Sequence, residues 1–352
     1  MGDIKFMKGN EALAEAAIRS GLQGYFGYPI TPQSEVVEYL AMKEPEHNYV
    51  LLQAESEVAS VNMVYGAAAA GARVMTTTSS PGFSLMQEGV SYIACAELPC
   101  VFVNVVRGGP GLGTIQASQG DYFQAVKGGG HGDYHLIVLA PNSVQEMVDH
   151  CVLGFELADK YRTPVLLLSD GSIGQMMEKV VLPDPIPYKP NKPWATTGKT
   201  PARKRNIITS LYIQSEQMEA KNNILQEKYR QITENEIRFE EYKLDDAEIV
   251  ISSFGVTSRV CKKTVDLARE AGIKIGLLRP ITLWPFPYHK YDELAKLSRV
   301  NFFISIEMNA GQMVEDIRLG VEGKKPVYFY GRQGGIIPTP EEILGAIKSH
   351  VK

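Results

Sequence analysis

Four loop segments carry the residue types that catalysis needs. Tyr28-Pro29-Ile30-Thr31-Pro32 sets a threonine between two prolines, directly after Tyr25-Phe26-Gly27, which reads as a strand end. The rings restrict the backbone, so the Thr31 hydroxyl and amide are held in a fixed direction; the plainer alternative is a proline-stabilised turn. One βα unit later, Glu55-Ser56-Glu57 opens an alanine-rich helix with Glu57 in its first turn. A carboxylate there also suits the helix dipole with no further role. Arg107 follows the apolar run Val101–Val106 and precedes Gly108-Gly109. An arginine so placed can grip a carboxylate with two parallel hydrogen bonds, or else form a surface ion pair. Ser79-Ser80-Pro81-Gly82, after Val74–Thr77, is a fourth loop pointing the same way.

These loops need a scaffold that gathers them. From residue 9 to about 170, extended runs at Tyr25–Gly27, Tyr49–Leu52, Val74–Thr77, Val101–Val106, Leu136–Leu139 and Val165–Leu168 alternate with amphipathic helices. Asn10 is expected to cap the first helix and Gly21 to end it, while the capping box Ser143-Val144-Gln145-Glu146 opens another. Near-continuous apolar strands in this alternation predict a parallel sheet covered on both faces, with ligands at its carboxyl edge. Pro183, Pro185, Pro187, Pro190 and Pro193 make a stiff connector. A charged helical arm is expected from Asn206 to Tyr242, where Leu211, Met218, Leu225, Ile232 and Phe239 recur at heptad spacing. One apolar position per heptad is too few for a long coiled coil, so the arm should pack on a domain or a partner. From Asp246 the runs Ile249–Ser252, Ile273–Leu278, Phe302–Ile306 and Val327–Tyr330, with Gly272 as a C-cap, predict a second α/β unit. The expected division is 1–182, a connector and arm over 183–245, and 246–352.

At 352 residues, net charge −4 and 44% hydrophobic content, the chain has the makings of an ordinary globular protein with room for two cores. The charge balance offers no basic face for nucleic acid, and Arg203-Lys204-Arg205 reads as a solvated turn. No apolar run approaches a membrane span, the N-terminus lacks a signal-peptide core, and Phe6 breaks the lipidation pattern that Met1-Gly2 begins. A cytoplasmic protein without membrane partners is expected. Cys95, Cys100, Cys151 and Cys261 contain no C-x-x-C pair; Cys95 and Cys100 read as small buried residues, and no metal or iron–sulfur cluster is expected on this chain.

Several familiar motifs fail. Gly108–Gly113 misses the dinucleotide fingerprint because Thr114 stands where the last glycine belongs. Gly198-Lys199-Thr200 ends like a P-loop, but Pro193 occupies the first glycine's place. His131 and His135 lack the helical register of zinc ligands and suit a loop or interface. No serine elbow supports a hydrolase.

Jointly, the positive signals resemble the α subunit of the 2-oxoacid:ferredoxin oxidoreductases over essentially the whole chain. The resemblance rests on Tyr28-Pro29-Ile30-Thr31-Pro32, on Gln53-Ala54-Glu55-Ser56-Glu57 before Gly66-Ala67, and on Asn104-Val105-Val106-Arg107-Gly108-Gly109. The stretch from Gln119 to Tyr134 and Leu278-Arg279-Pro280 add to it. The middle stretch is most similar to the branched-chain (2-oxoisovalerate) group, with 2-oxoglutarate as the alternative substrate.

The resemblance implies an α/β fold: a parallel-sheet, pyrimidine-binding thiamine-diphosphate domain followed by a transketolase-C-like α/β domain. It implies Glu57 as the carboxyl group bonded to the far nitrogen of the cofactor's aminopyrimidine, with Glu55 as the fallback. Tyr28 and Pro29 would line the cofactor, and Thr31 and Arg107 would bind the substrate carboxylate. The family's Gly-Asp-Gly…Asn element is absent, since Gly120-Asp121 and Gly132-Asp133 are each followed by tyrosine. The diphosphate, its magnesium and an iron–sulfur cluster are therefore expected on a β subunit. Further implied partners are γ and ferredoxin-like δ subunits, ferredoxin as acceptor, and a 2-oxoacid and coenzyme A as substrates. A decayed, purely scaffolding subunit is the contrary reading; the intact set Thr31, Glu57 and Arg107 speaks against it.

Overall fold

The computed structural model describes residues 3–188, 191–199 and 201–351. Met1-Gly2, Lys189, the connector's Pro190, Thr200 of the P-loop-like run and Lys352 lie outside the described residues. The elements run β1 (Asp3–Lys8), α1 (Gly9–Arg19), β2 (Gly24–Gly27), α2 (Ser34–Lys43), β3 (Val50–Gln53), α3 (Glu57–Ala69), β4 (Val74–Thr78), α4 (Ser80–Cys95), β5 (Cys100–Val106), α5 (Tyr122–Val126), β6 (Ile137–Leu139), α6 (Val144–Tyr161), β7 (Pro164–Asp170), α7 (Gly171–Gln175) and β8 (Met177–Leu182). Beyond the connector come α8 (Ser215–Asn235), β9 (Phe239–Tyr242), β10 (Ile249–Ser252), α9 (Gly255–Glu270), β11 (Ile275–Pro280), β12 (Thr282–Trp284), α10 (Tyr288–Ala295), β13 (Phe302–Glu307), α11 (Met313–Val321), β14 (Val327–Gly331) and α12 (Pro340–Lys348).

Seven strands form the larger sheet in the order β12-β6-β7-β5-β4-β2-β3, parallel except for β12. β5 shows why these strands read as unbroken apolar runs. Val101, Val103 and Val105 enter one hydrophobic layer and Phe102 and Val106 the other. Helices α1, α2 and α6 supply the first layer through Leu13, Leu40 and Phe155; α3 and α4 supply the second through Val61, Val64, Met86 and Val90. The α3–α4 approach is close because Gly89 has no side chain: a Cβ there would sit 2.5 Å from both Val61 methyls.

From β2 the chain steps outward to β3, then returns across β2 to β4. Such a reversal leaves a crevice beyond the carboxyl ends of the strands. Here β2 and β4 pair only through Gly24–Val74 and Tyr25–Met75, so their last residues run on unpaired with each other. The second sheet has the order β14-β13-β10-β11-β9, parallel except for β9. The sheets interlock, since β12 pairs with β6 and β9 with β11. Among the described residues, no helix is long and apolar enough to cross a membrane.

Several local expectations need correction. Asn10 lies inside α1 rather than at its cap, because its amide is drawn to the Pro32 carbonyl at 2.8 Å. The arm is helical only over Ser215–Asn235. β-Branched Ile207, Ile208 and Thr209 disfavour helix ahead of it, Leu211 is 70% exposed, and Phe239 joins a β ladder. Only Leu225 and Ile232 of the heptad series are buried, alongside Tyr229. Ser143 does cap α6, accepting from the Glu146 amide at 3.1 Å, but the Glu146 carboxylate turns to the Asn142 amide instead of closing the box. Cys95 is half-buried rather than buried.

Candidate functional site

The carboxyl ends of β2, β3, β4 and β5 deliver Thr31, Glu57, the Ser79–Gly82 turn and Arg107 to the crevice edge. Direct contacts join them. Arg107 Nη1 donates to the Thr31 carbonyl at 2.9 Å, and the Arg107 amide donates to Ser80 Oγ at 3.0 Å. That hydroxyl donates in turn to the Arg107 carbonyl, while the Ser80 amide donates to Asn104 Oδ1 at 2.9 Å. Two residues on, Gly82 lies against the Glu57 side chain.

Glu57 is the first residue of α3, and the Ser56 hydroxyl caps that helix by accepting from the Ala59 amide. It is 5% exposed, whereas Glu55 is exposed. Its carboxylate enters no hydrogen bond or ion pair among the described residues. The helix dipole favours a carboxylate at this position, and with no partner in the described chain the group is left available to a ligand. Gly82 lets both side chains approach its backbone closely: a Cβ there would stand 2.4 Å from Glu57 Oε1 and 2.2 Å from Thr78 Oγ1. Thr78 Oγ1 and Ser79 Oγ are buried without a partner. Unpaired buried hydroxyls cost about 1–3 kcal/mol each. The sequence places Gly82 in the fourth loop of this edge but does not single out Thr78, since a strand threonine reads as β propensity.

Arg107 is neither a surface ion pair nor an open clamp. It is 9% exposed, donates to the carbonyls of Thr31 and Leu112, and leaves Nε buried and unpaired. Thr31, Tyr28 and Pro29 are exposed. Their loop is tied down from beneath: Gln33 Nε2 donates to the Tyr28 carbonyl, and Gln33 Oε1 accepts from the Thr77 hydroxyl at 2.5 Å. The amides of Asn10 and Gln175 both donate to the Pro32 carbonyl and to Glu35. Those bonds hold the Glu35 carboxyl below its ordinary range against the opposing effect of burial, the largest influence on it. Beside Thr31 opens a cavity of about 400 Å³ lined by Pro32, Glu35, Ile115, Ala117 and Gly171 among others. Behind Arg107, Asn104 Nδ2 donates to Asp121 at 2.9 Å, and burial raises the Asp121 carboxyl despite that bond.

Gln119, Arg279 and His135, which stand out in the sequence, go to the seam between the two sheets, where Asp170 joins them. Gln119 donates to the Phe254 carbonyl and accepts from Thr257 and the Met308 amide. Arg279, 1% exposed, pairs with Glu146 and Glu240. Asp170 accepts from the amides of Ser172, Ile173 and Val256. His135 stacks on Trp284 with ring centres 4.5 Å apart, and burial lowers its pKa.

The family described as pyruvate flavodoxin/ferredoxin oxidoreductase, thiamine diphosphate-binding, matches residues 15–244. Residues 247–343 match pyruvate:ferredoxin oxidoreductase core domain II. Ketoisovalerate oxidoreductase subunit VorB of Methanothermobacter marburgensis is 50% identical over 345 residues, 98% of this chain and 97% of that one. The 2-oxoglutarate synthase subunit KorA of Methanocaldococcus jannaschii is 36% identical over 368 residues, covering 98% and 99%. Among solved structures, 2-oxoglutarate:ferredoxin oxidoreductase from Magnetococcus marinus, with 2-oxoglutarate, coenzyme A and succinyl-CoA bound, superposes with a TM-score of 0.89 at 31% identity. That match covers 100% of this chain and 66% of the other. A split-gene transketolase, 12% identical with a TM-score of 0.59, shares the fold alone.

Proposed function

This chain belongs to the 2-oxoacid:ferredoxin oxidoreductases and carries their thiamine diphosphate-binding domain, and from that premise we propose that it is the α-type subunit acting on a branched-chain 2-oxoacid such as 2-oxoisovalerate. The reaction is coenzyme A-dependent oxidative decarboxylation to an acyl-CoA and CO2, with ferredoxin reduced. Relatives named as subunits place it in a multi-subunit complex. The branched-chain assignment leans on the 50% identity to ketoisovalerate subunits, against 36% for 2-oxoglutarate subunits.

One observation carries the reading: a buried glutamate at the carboxyl edge of the sheet has no partner among the described residues and packs directly on Gly82. Those features fit the aminopyrimidine of thiamine diphosphate. When bound, the cofactor supplies the nucleophile for the 2-oxoacid ketone and the electron sink for loss of CO2. Glu57 would sit against the ring nitrogen and share a proton with it, a kind of positioned transfer worth about 10²–10⁴-fold in rate. Tyr28 and Pro29 form the wall along the ring. The Thr31 hydroxyl and the free donors of Arg107 hold the substrate carboxylate. Residues 1–182 carry this role, 183–245 connect, and 246–352 form the transketolase-C-like unit. The β subunit holds the diphosphate, magnesium and an iron–sulfur cluster, and γ and δ subunits pass electrons to ferredoxin in the cytoplasm.

The test is reconstitution with a cluster-bearing β-type subunit and its companions. Coenzyme A-dependent dye reduction should be fastest with 2-oxoisovalerate, slower with 2-oxoglutarate, and absent from this chain alone. Preference for 2-oxoglutarate would overturn the substrate class; 2-oxoacid turnover by the lone chain would overturn the shared site.

A further inference from the structure

Beneath the Glu57 carboxylate stands a hydroxyl that has no partner yet faces it. Thr78 ends β4, is 1% exposed, and its Oγ1 bonds to nothing described. Thr78 Oγ1 and Glu57 Oε1 lie 2.2 and 2.4 Å from one point, the place a Gly82 Cβ would take. Both oxygens pack on Gly82 from the same side, with no hydrogen bond between them, and any side chain at Gly82 would displace them. β4 does not leave its threonines unpaired as a rule. Thr77, on the opposite face, donates to Gln33 and lies 2.7 Å from the Tyr25 hydroxyl. Buried polar groups in folded proteins find partners with few exceptions, and an exception beside a functional carboxylate calls for one that arrives later.

Resting on the reading of Glu57 given above, we infer that Thr78 is a positioning residue: with the ring bound, its hydroxyl donates to Glu57 Oε1, so that Oε2 alone meets the ring nitrogen. A hydroxyl–carboxylate bond is charge-assisted and stronger than a neutral one. It selects one carboxylate orientation among several staggered or near-free ones, and Gly82 is what leaves room for the two oxygens to close. No covalent bond changes in this step; only the orientation of the acceptor is set. Thr76, one pleat deeper on the same face, is also unpaired but lies behind Thr78 and has no such role.

The experiment uses the reconstituted complex, titrated with thiamine diphosphate and Mg2+. Thr78→Val is isosteric, keeps the β-branched strand residue and removes only the hydroxyl. It should weaken cofactor binding by calorimetry about tenfold, the size of one lost hydrogen bond to a charged group. It should also lower the near-ultraviolet circular-dichroism band of the imino tautomer and reduce kcat with KM for the 2-oxoacid unchanged. Thr78→Ser should restore all three, and Thr76→Val should leave them unmoved. If Thr78→Val fails to assemble, Thr78→Ala carries the same comparison. Binding and band within twofold of wild type in either variant, or an equal loss in Thr76→Val, would overturn the inference. Glu57→Gln run beside it separates the two levels. Loss of the band there with none in Thr78→Val removes only Thr78 from the site, whereas an intact band in Glu57→Gln removes the reading of Glu57 itself.

Discussion

The crevice edge beyond β2–β5 and the seam between the two sheets both bury polar and charged side chains, but they treat them in opposite ways. At the seam, Asp170 has three amide donors, Gln119 is bonded through both ends of its side chain, and Arg279 meets two carboxylates. At the edge, Glu57, Thr78 and Ser79 are buried residues whose side chains make no hydrogen bond among the described residues. Unpaired buried hydroxyls such as Thr78 and Ser79 carry a cost that a ligand can relieve. The contrast separates residues whose work is finished when the protein folds from residues whose work begins when a ligand arrives.

The largest expected effect is at the edge. Glu57→Gln should reduce turnover of the reconstituted complex by about 10²–10⁴-fold while leaving the melting temperature of this chain unchanged or raised, because no in-chain bond is lost and a buried charge is removed. Thermal melts beside steady-state rates check both halves; a destabilised variant with near-normal turnover would erase the contrast. At the seam the signs reverse. Arg279→Ala removes the buried cation that Glu146 and Glu240 share and should cost about 3 kcal/mol of stability, read as a lower denaturation midpoint. The surviving folded fraction should keep its cofactor affinity.

Asp170 sharpens the seam's side through pH. Burial pushes its carboxyl up to about 6 from an ordinary 3.8, more than its amide donors pull it down. A raised folded pKa means that the folded state holds the proton more tightly. Its stabilising contribution is therefore complete below about pH 4 and is lost as pH rises through 6. Relative to Asp170→Asn, which cannot titrate, the wild-type chain should lose about 2 kcal/mol between pH 4 and 7, and a pH-independent difference in unfolding free energy would refute this.

Arg107 stands between the two classes, with some donors used within the chain and Nε free. Arg107→Lys keeps charge but loses the planar fork. It should raise KM for the 2-oxoacid about tenfold to a hundredfold, equivalent to one or two polar contacts, with a smaller loss in kcat. An unchanged KM would exclude it from substrate binding.

Much of this was legible before any coordinates. Strands such as β5 and β7 are buried on both faces, and period-two side chains then give unbroken apolar runs that cannot be missed. β1, β8 and β12 were not legible, because an edge or three-residue strand is specified by a distant partner rather than by its own pattern. At the site, Glu57 and Arg107 could be placed from their positions after strands. Their burial could not, nor could the bond from Arg107 to the Thr31 carbonyl, which depends on how the loop beyond β2 folds back. The Gln119–Tyr134 stretch and Arg279 were recognisable as distinctive, but sequence does not say whether a polar residue's partner lies within the same chain, and theirs does.

Ser56 gives the smallest effect and the closest control. It is adjacent to Glu57 on the same loop, yet its hydroxyl already has an in-chain partner, the Ala59 amide at 3.2 Å. By the division drawn above, it belongs with the seam despite its address. Ser56→Ala should therefore cost about 1 kcal/mol of stability, the usual worth of an N-cap, and fray the first turn of α3 enough to reduce kcat only about twofold, far less than a lost catalytic group would. Two neighbouring substitutions would then move in opposite columns, one in stability and one in rate. If Ser56→Ala instead lost turnover on the scale of Glu57→Gln while melting normally, possession of an in-chain partner would no longer distinguish the folding residues of this edge from its chemical ones.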